Sequence, residues 1–136
     1  MYMMFEIRRI LKPDGVLVLT TPNISSLRSI AAVLEGGHPG LYTCYKRPGL
    51  NAEYEPRHAR EYTPGEVCQL ITEAGCQMSS VETFAYGQDD PESLRWVEKL
   101  RSEITLPNAL QGACISATAR KSSNSQIRFP AWLYDG

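Results

Sequence analysis

The sequence has no apolar run near the roughly 18 residues that a membrane span needs, no Cys-x-x-Cys pair and no cluster of lysine and arginine. Each absence excludes something. The first removes a transmembrane helix. The chain also lacks a charged opening followed by an apolar run and a small-residue cleavage site, so no secretory signal is read. With no basic stripe and a formal net charge of -1, the footprint of a dedicated nucleic-acid binder is missing. Four cysteines, Cys44, Cys68, Cys76 and Cys114, are scattered singly. A tetrahedral metal is usually gripped by closely spaced pairs of Cys or His, so no metal site is expected. The cysteines read as small hydrophobes in a reducing compartment, which makes a cytoplasmic setting the expectation.

What remains is an ordinary globular composition, 43% hydrophobic and 21% charged over 136 residues, enough for one domain and not for two. Met3, Met4, Ile7, Ile10 and Leu11 fall on one helical face, with Glu6, Arg8, Arg9 and Lys12 opposite. Pro13, Asp14 and Gly15 stop this helix. Val16 to Leu19, extending into Thr20 and Thr21, is a continuous apolar run that suits a strand covered on both faces, as in a parallel sheet. A turn through Pro22, Asn23, Ile24, Ser25 and Ser26 leads to a second amphipathic helix marked by Leu27, Ile30, Ala31 and Leu34, closed by Gly36 and Gly37.

Residues 36–60 read as a long loop, either a functional segment or a disordered insertion. Thr63 then caps a helix with Pro64 at its first position and Glu66 completing a capping box. Val67, Leu70, Ile71 and Ala74 form its buried stripe, and Gly75 ends it. Residues 76–84 read as a strand with imperfect alternation, consistent with a bulge. Asp90 and Pro91 open a further helix with Leu94, Val97 and Leu100 inward and Trp96 off the stripe, either at an interface or partly buried against the tail. Residues 112–120 alternate as a closing strand, and 121–136 read as a loose tail, or as one that docks through Phe129, Trp132, Leu133 and Tyr134. Three strands and four helices do not bury both faces of a sheet whose first member reads as central. An open apolar edge, able to self-associate, is therefore expected.

The run Glu6-Ile7-Arg8-Arg9-Ile10-Leu11-Lys12-Pro13-Asp14-Gly15, followed by Val16-Leu17-Val18-Leu19-Thr20-Thr21-Pro22-Asn23, resembles class I S-adenosylmethionine-dependent methyltransferases at the helix and turn before their fifth strand. The stretch His58-Ala59-Arg60-Glu61-Tyr62-Thr63-Pro64, then Glu66, Leu70, Ala74 and Gly75, is similar to the segment leading to the sixth strand. The likeness covers residues 3–86 well and 112–120 loosely. It implies an α/β fold: a partial doubly wound, Rossmann-like sheet lacking its N-terminal strands, with residues 1–120 as the C-terminal portion of the domain. The family's Gly-rich turn and acidic ribose ligand have no counterpart here, so roughly the first 100 residues of a usual domain are expected to be missing.

The resemblance implies methyl transfer from S-adenosylmethionine to a small-molecule or saccharide-like acceptor, by an enzyme of which this chain alone is inactive. Thr21, Pro22 and Asn23 lie at the carboxyl end of a strand, where open α/β sheets place ligands; Asn23 also reads as the cap of the next helix, and the two roles are compatible. With Arg60 and Tyr62 they make the candidate substrate-binding set. His58 is the candidate general base, since imidazole titrates near neutrality, or it anchors the long loop together with Arg60. His38 reads as a loop residue. Tyr42, Tyr45 and Tyr54 either line an acceptor pocket or pack the loop down. The competing class is a non-catalytic α/β remnant that binds a partner through the open edge of its first strand.

Overall fold

The computed structural model describes residues 1–40, 60–87, 91–103, 105, 111–123 and 126–134. In chain order these form α1 (Tyr2–Ile10), β1 (Val16–Pro22), α2 (Leu27–Leu34), α3 (Pro64–Glu73), β2 (Cys76–Phe84), α4 (Pro91–Glu103), β3 (Cys114–Lys121) and the short α5 (Ala131–Tyr134). No helix among them is long and apolar enough to cross a membrane.

α3 has the most complete local signals. Thr63 accepts from the Glu66 amide and the Glu66 carboxylate accepts from the Thr63 amide, satisfying two otherwise orphaned donors of the first turn. Gly75, at φ +79°, then takes a left-handed conformation that few other residues tolerate and sends the chain into β2. α1 has no side-chain cap and depends on tertiary ties. Arg8 donates from Nε to the Gly75 carbonyl (3.0 Å) and from Nη2 to that of Ser122 (2.9 Å). Lys121 Nζ donates to the Leu11 carbonyl at the helix's carboxyl end (2.8 Å), where a cation also complements the helix dipole.

The strand order is β1-β3-β2, and β3 runs antiparallel to both neighbours. The described residues thus form a mixed α/β unit with a three-stranded antiparallel sheet, and the parallel partners expected for β1 are not among them. β1 and β2 do point the same way, but the last strand of the chain returns between them. Among the described residues the sole parallel pairing is a bridge between Asn23 and Tyr62. The irregularity expected in β2 is a register shift between Met78 and Ser80.

Register sorts the side chains. Leu17 lies opposite Ala119, Leu19 opposite Ala117 and Thr21 opposite Ile115, all on one face; Met78 and Val81 extend that face across β2. α1 and α3 cover it, burying Met4, Val67, Leu70, Ile71 and Ala74 against the small side chains of β3. α2 and α4 pack on one another in a second cluster of Leu27, Ala31 and Val97, flanked by Ile30, Trp96 and Leu100. Trp96 thus leans on this helix pair and not on the tail.

The opposite sheet face is polar over β2 and β3, where the Ser80 and Thr118 hydroxyls hydrogen-bond at 2.7 Å. It is apolar over β1, where Val16 and Val18 are 48% and 64% exposed. The tail is not loose in its described part. The Ile127 amide donates to the Glu73 carbonyl (2.8 Å) and Trp132 Nε1 to the Glu73 carboxylate (2.6 Å). Pro130 is buried, and Trp132 and Leu133 join the main core. β3 also runs one residue into the expected tail, to Lys121.

Burial alone would raise the Glu66 carboxyl, but hydrogen bonds from the Thr63 amide, the Arg60 guanidinium and the Thr63 hydroxyl outweigh it and leave it below the usual glutamate range. A lowered folded-state value stabilises the fold above the unfolded glutamate pKa of about 4.3, and this contribution is lost as pH falls through the lowered value. Urea titrations of wild type and Glu66→Gln are therefore expected to differ above that pH and to converge below it. Thr63→Ala is expected to cost about 1 kcal/mol.

Candidate functional site

β1 and β2 end, and β3 begins, side by side: Pro22 and Phe84 both lie opposite Cys114. What happens there is governed by Asn23, which is 2% exposed. Its amide donates to the Ala113 carbonyl (2.9 Å) and its side-chain Nδ2 to the Gly112 carbonyl (2.9 Å). Its Oδ1 accepts from the Ser25 amide (3.1 Å) and hydroxyl (2.8 Å), closing an Asx turn. Its carbonyl accepts from the Ser26 amide and the Ser29 hydroxyl. Asn23 therefore does not cap α2. Ser26 does, accepting from the Ser29 amide at 3.1 Å. The strand stays extended through Asn23 because both edges of the backbone there are paired, to Ala113 on one side and Tyr62 on the other. The helix can begin only after the turn.

Gly112 is clamped from the other side. Its amide donates to the Thr83 hydroxyl (2.9 Å), and a Cβ at this position would lie 2.4 Å from the Phe84 nitrogen. Only glycine permits this approach of backbone to backbone. The clamp holds one wall of a cavity of about 500 Å³ between the α2–α4 pair and the ends of β2 and β3. Leu27, Val97 and Phe84 supply apolar lining, while Arg28, Arg101 and Tyr86 supply polar groups. Its size is that of a small-molecule site. Arg101 donates from Nε to Gln111 Oε1 (3.2 Å), so a neighbour of Gly112 orients that guanidinium.

The sequence-derived site residues are placed close by, but not in the cavity lining. Thr21 is half-buried on the core side of β1, and Pro22 is buried against the start of β3. Arg60 pairs with Glu66 (2.5 Å), and its guanidinium carbon lies 5.4 Å from the Tyr62 ring centre and 5.9 Å from that of Trp132. Arg60 thus ties the segment before α3 to α3 and to the tail. Tyr62 is half-buried against the main core, and its carbonyl accepts from the Ile24 amide (3.2 Å). Thr21, Pro22, Asn23, Arg60 and Tyr62 do converge, but the Asn23 amide and the Arg60 guanidinium are spent on the fold. His58, Cys44, Tyr42, Tyr45 and Tyr54 lie outside the described residues. His38 is exposed, its Nδ1 accepting from the Gly40 amide.

Arg28, Arg101, Gly112 and Gln111 were not singled out from sequence. Each arginine sits at an ordinary polar position of an amphipathic helix, and only the packing of α2 on α4 brings both to one cavity. Gly112, directly before a strand, was the one available signal.

Neither buried thiol is a poised nucleophile. Burial raises Cys114, with the Glu61 charge adding to it, and burial raises Cys76 despite the opposing charges of Arg8 and Lys121. Among the described residues no group of three or more His, Cys, Asp or Glu is placed to hold a metal ion. Nor do those residues fit S-adenosylmethionine. The β1–α2 turn contains no glycine to admit a ligand against its backbone, and Asn23, Ser26 and Ser29 fill it with mutual hydrogen bonds. Comparison with protein-family models and with curated proteins yields no match.

Asn23→Ala leaves the Gly112 carbonyl without its partner and is expected to lower stability by about 1–3 kcal/mol in urea titrations. Gly112→Ala is expected to be worse, since the clash is with backbone. Because both raised thiols hold their protons more tightly in the folded state, stability is expected to be full below the unfolded thiol pKa of about 8.5 and to fall as pH rises through the raised values. Native Cys76 and Cys114 should react with a thiol reagent at pH 7.5 far more slowly than in denaturant.

Proposed function

We propose that this chain is the C-terminal portion of a class I S-adenosylmethionine-dependent methyltransferase domain, in a doubly wound sheet completed by strands outside the described residues. The observation that carries this reading is the unfinished state of β1. The Asn23 amide faces β3, so by the alternation of an antiparallel ladder Thr21, Leu19 and Leu17 also bond toward β3, while Val18 and Thr20 aim their backbone groups outward. Among the described residues that outer edge is met only at its tip, by the Tyr62 carbonyl. A strand with an apolar run, one open edge and two exposed valines on one face is shaped to take a further strand and a covering layer. The sheet implied by the resemblance supplies both. The unpaired thiols Cys68, Cys76 and Cys114 are in keeping with a cytoplasmic setting.

In this reading the cofactor is held by the completing segment. A small-molecule or saccharide-like acceptor occupies the cavity between the α2–α4 pair and the ends of β2 and β3, and His58 is the candidate base. The same open edge also favours a second reading, a non-catalytic module in which β1 pairs with β1 of another copy.

Calorimetric titration with S-adenosylhomocysteine separates the two. The 136 residues alone are expected to bind none, whereas the product of the gene extended upstream in frame is expected to bind it. Absence of binding in both, with concentration-dependent dimers in sedimentation, would instead establish the self-associating module.

A further inference from the structure

We propose that the docked tail, residues 126–134, is a detachable clasp that holds Tyr62 on the outer edge of β1, so that its release frees that edge at Ile24. This does not rest on the methyl-transfer reading. The contacts run without a break from tail to edge. Glu73, at the end of α3, receives the tail twice: its carbonyl accepts from the Ile127 amide (2.8 Å) and its carboxylate from Trp132 Nε1 (2.6 Å). Pro130 is buried, and its carbonyl accepts from the Leu133 and Tyr134 amides (3.0 and 3.2 Å), closing the turn that carries Trp132. The indole faces the Arg60 guanidinium, whose carbon lies 5.9 Å from the Trp132 ring centre and 5.4 Å from that of Tyr62. Glu66 ties the same guanidinium to α3. Two residues on, the Tyr62 carbonyl accepts from the Ile24 amide (3.2 Å), where the outer edge of β1 is met among the described residues.

The clasp is weak part by part. α5 is a single turn of four residues, too short to persist on its own hydrogen bonds. Ile127, Phe129 and Tyr134 are all exposed. The Arg60 side chain is 44% exposed, so its ion pair with Glu66 contributes little alone. A segment with so few buried contacts opens at a lower free energy than the sheet beneath it. On opening, Arg60 loses one of its two rings, and the core on which Tyr62 packs loses Trp132 and Leu133. The Ile24 amide is then released. Asn23, one residue earlier, keeps its amide bonded to Ala113 on the other edge.

These two neighbouring amides make the test internal. Amide hydrogen exchange of the 136-residue chain is followed by NMR, with no cofactor present, so failure here is separate from failure of the methyl-transfer reading. Trp132→Ala is expected to speed exchange at Ile24 about tenfold, the combined effect of one cation–π contact and one indole hydrogen bond, while Asn23 is little changed. Coupling between two ends is reciprocal, so Arg60→Gln is expected to speed exchange at Ile127 by a similar factor. Should Trp132→Ala unfold by circular dichroism, Trp132→Phe takes its place; it keeps a ring but loses the indole N–H, and a selective acceleration of about threefold at Ile24 is expected. Equal acceleration of Ile24 and Asn23, as from a tail that merely stabilises the whole fold, would overturn the proposal. So would unchanged exchange at Ile24 in a folded Trp132 variant, or an Ile127 amide indifferent to Arg60→Gln.

Discussion

The pairing of β3 on both of its edges is the constraint from which the rest of the molecule follows. It is the only described strand with two neighbours, and its core-facing side chains, Ile115, Ala117 and Ala119, are fully buried. The two alanines let α3 approach the sheet closely enough for Val67, Ile71 and Ala74 to be buried as well. Because β3 runs against β1 and β2, it brings the carboxyl ends of those two strands beside its own start. A ligand cavity can form at that end because three backbones stop or start together there, leaving Gly112 to be gripped by Asn23 and Thr83.

That grip shows how one polar side chain links fold and site. A buried Asn must satisfy both its carbonyl and its amide. Asn23 does so with Ser25 on one side and Gly112 on the other. The same bonds end β1, turn the chain and place the cavity wall. Asn23 is thus a positioning residue, and a role in touching a ligand would compete with every bond it makes. Arg60 is engaged in a similar way, by a carboxylate and two aromatic faces.

β1 stands in contrast to this finished interior. Its core face is covered, but its other face and most of its outer edge are not covered by described residues. Antiparallel sheets tolerate one solvated face when that face is polar, as it is over β2 and β3. The exposed valines of β1 depart from that pattern. The departure is largest in this strand, which is also part of the run that resembles the methyltransferases.

Much of this was legible in the residues. The capping box of α3, the glycine stop at Gly75, the irregular β2 and the inward positions Val97 and Leu100 of α4 all rest on interactions within a few residues, where sequence and structure share a cause. That the described neighbour of β1 is antiparallel could not be read, because an apolar run in β1 signals burial but not the direction of its neighbour, and that neighbour lies about a hundred residues away in β3. The cap was placed three residues early for a related reason: Asn23 was drawn off by partners from the far end of the chain. The cavity was invisible altogether, since Arg28 and Arg101 meet only through helix packing. By itself the sequence determined the elements, their order and which faces are apolar, because these are set by local propensity and periodicity. Strand direction, the use of Asn23 and the making of a site were decided by tertiary structure, because each depends on which distant backbone reaches a hydrogen-bonding edge first.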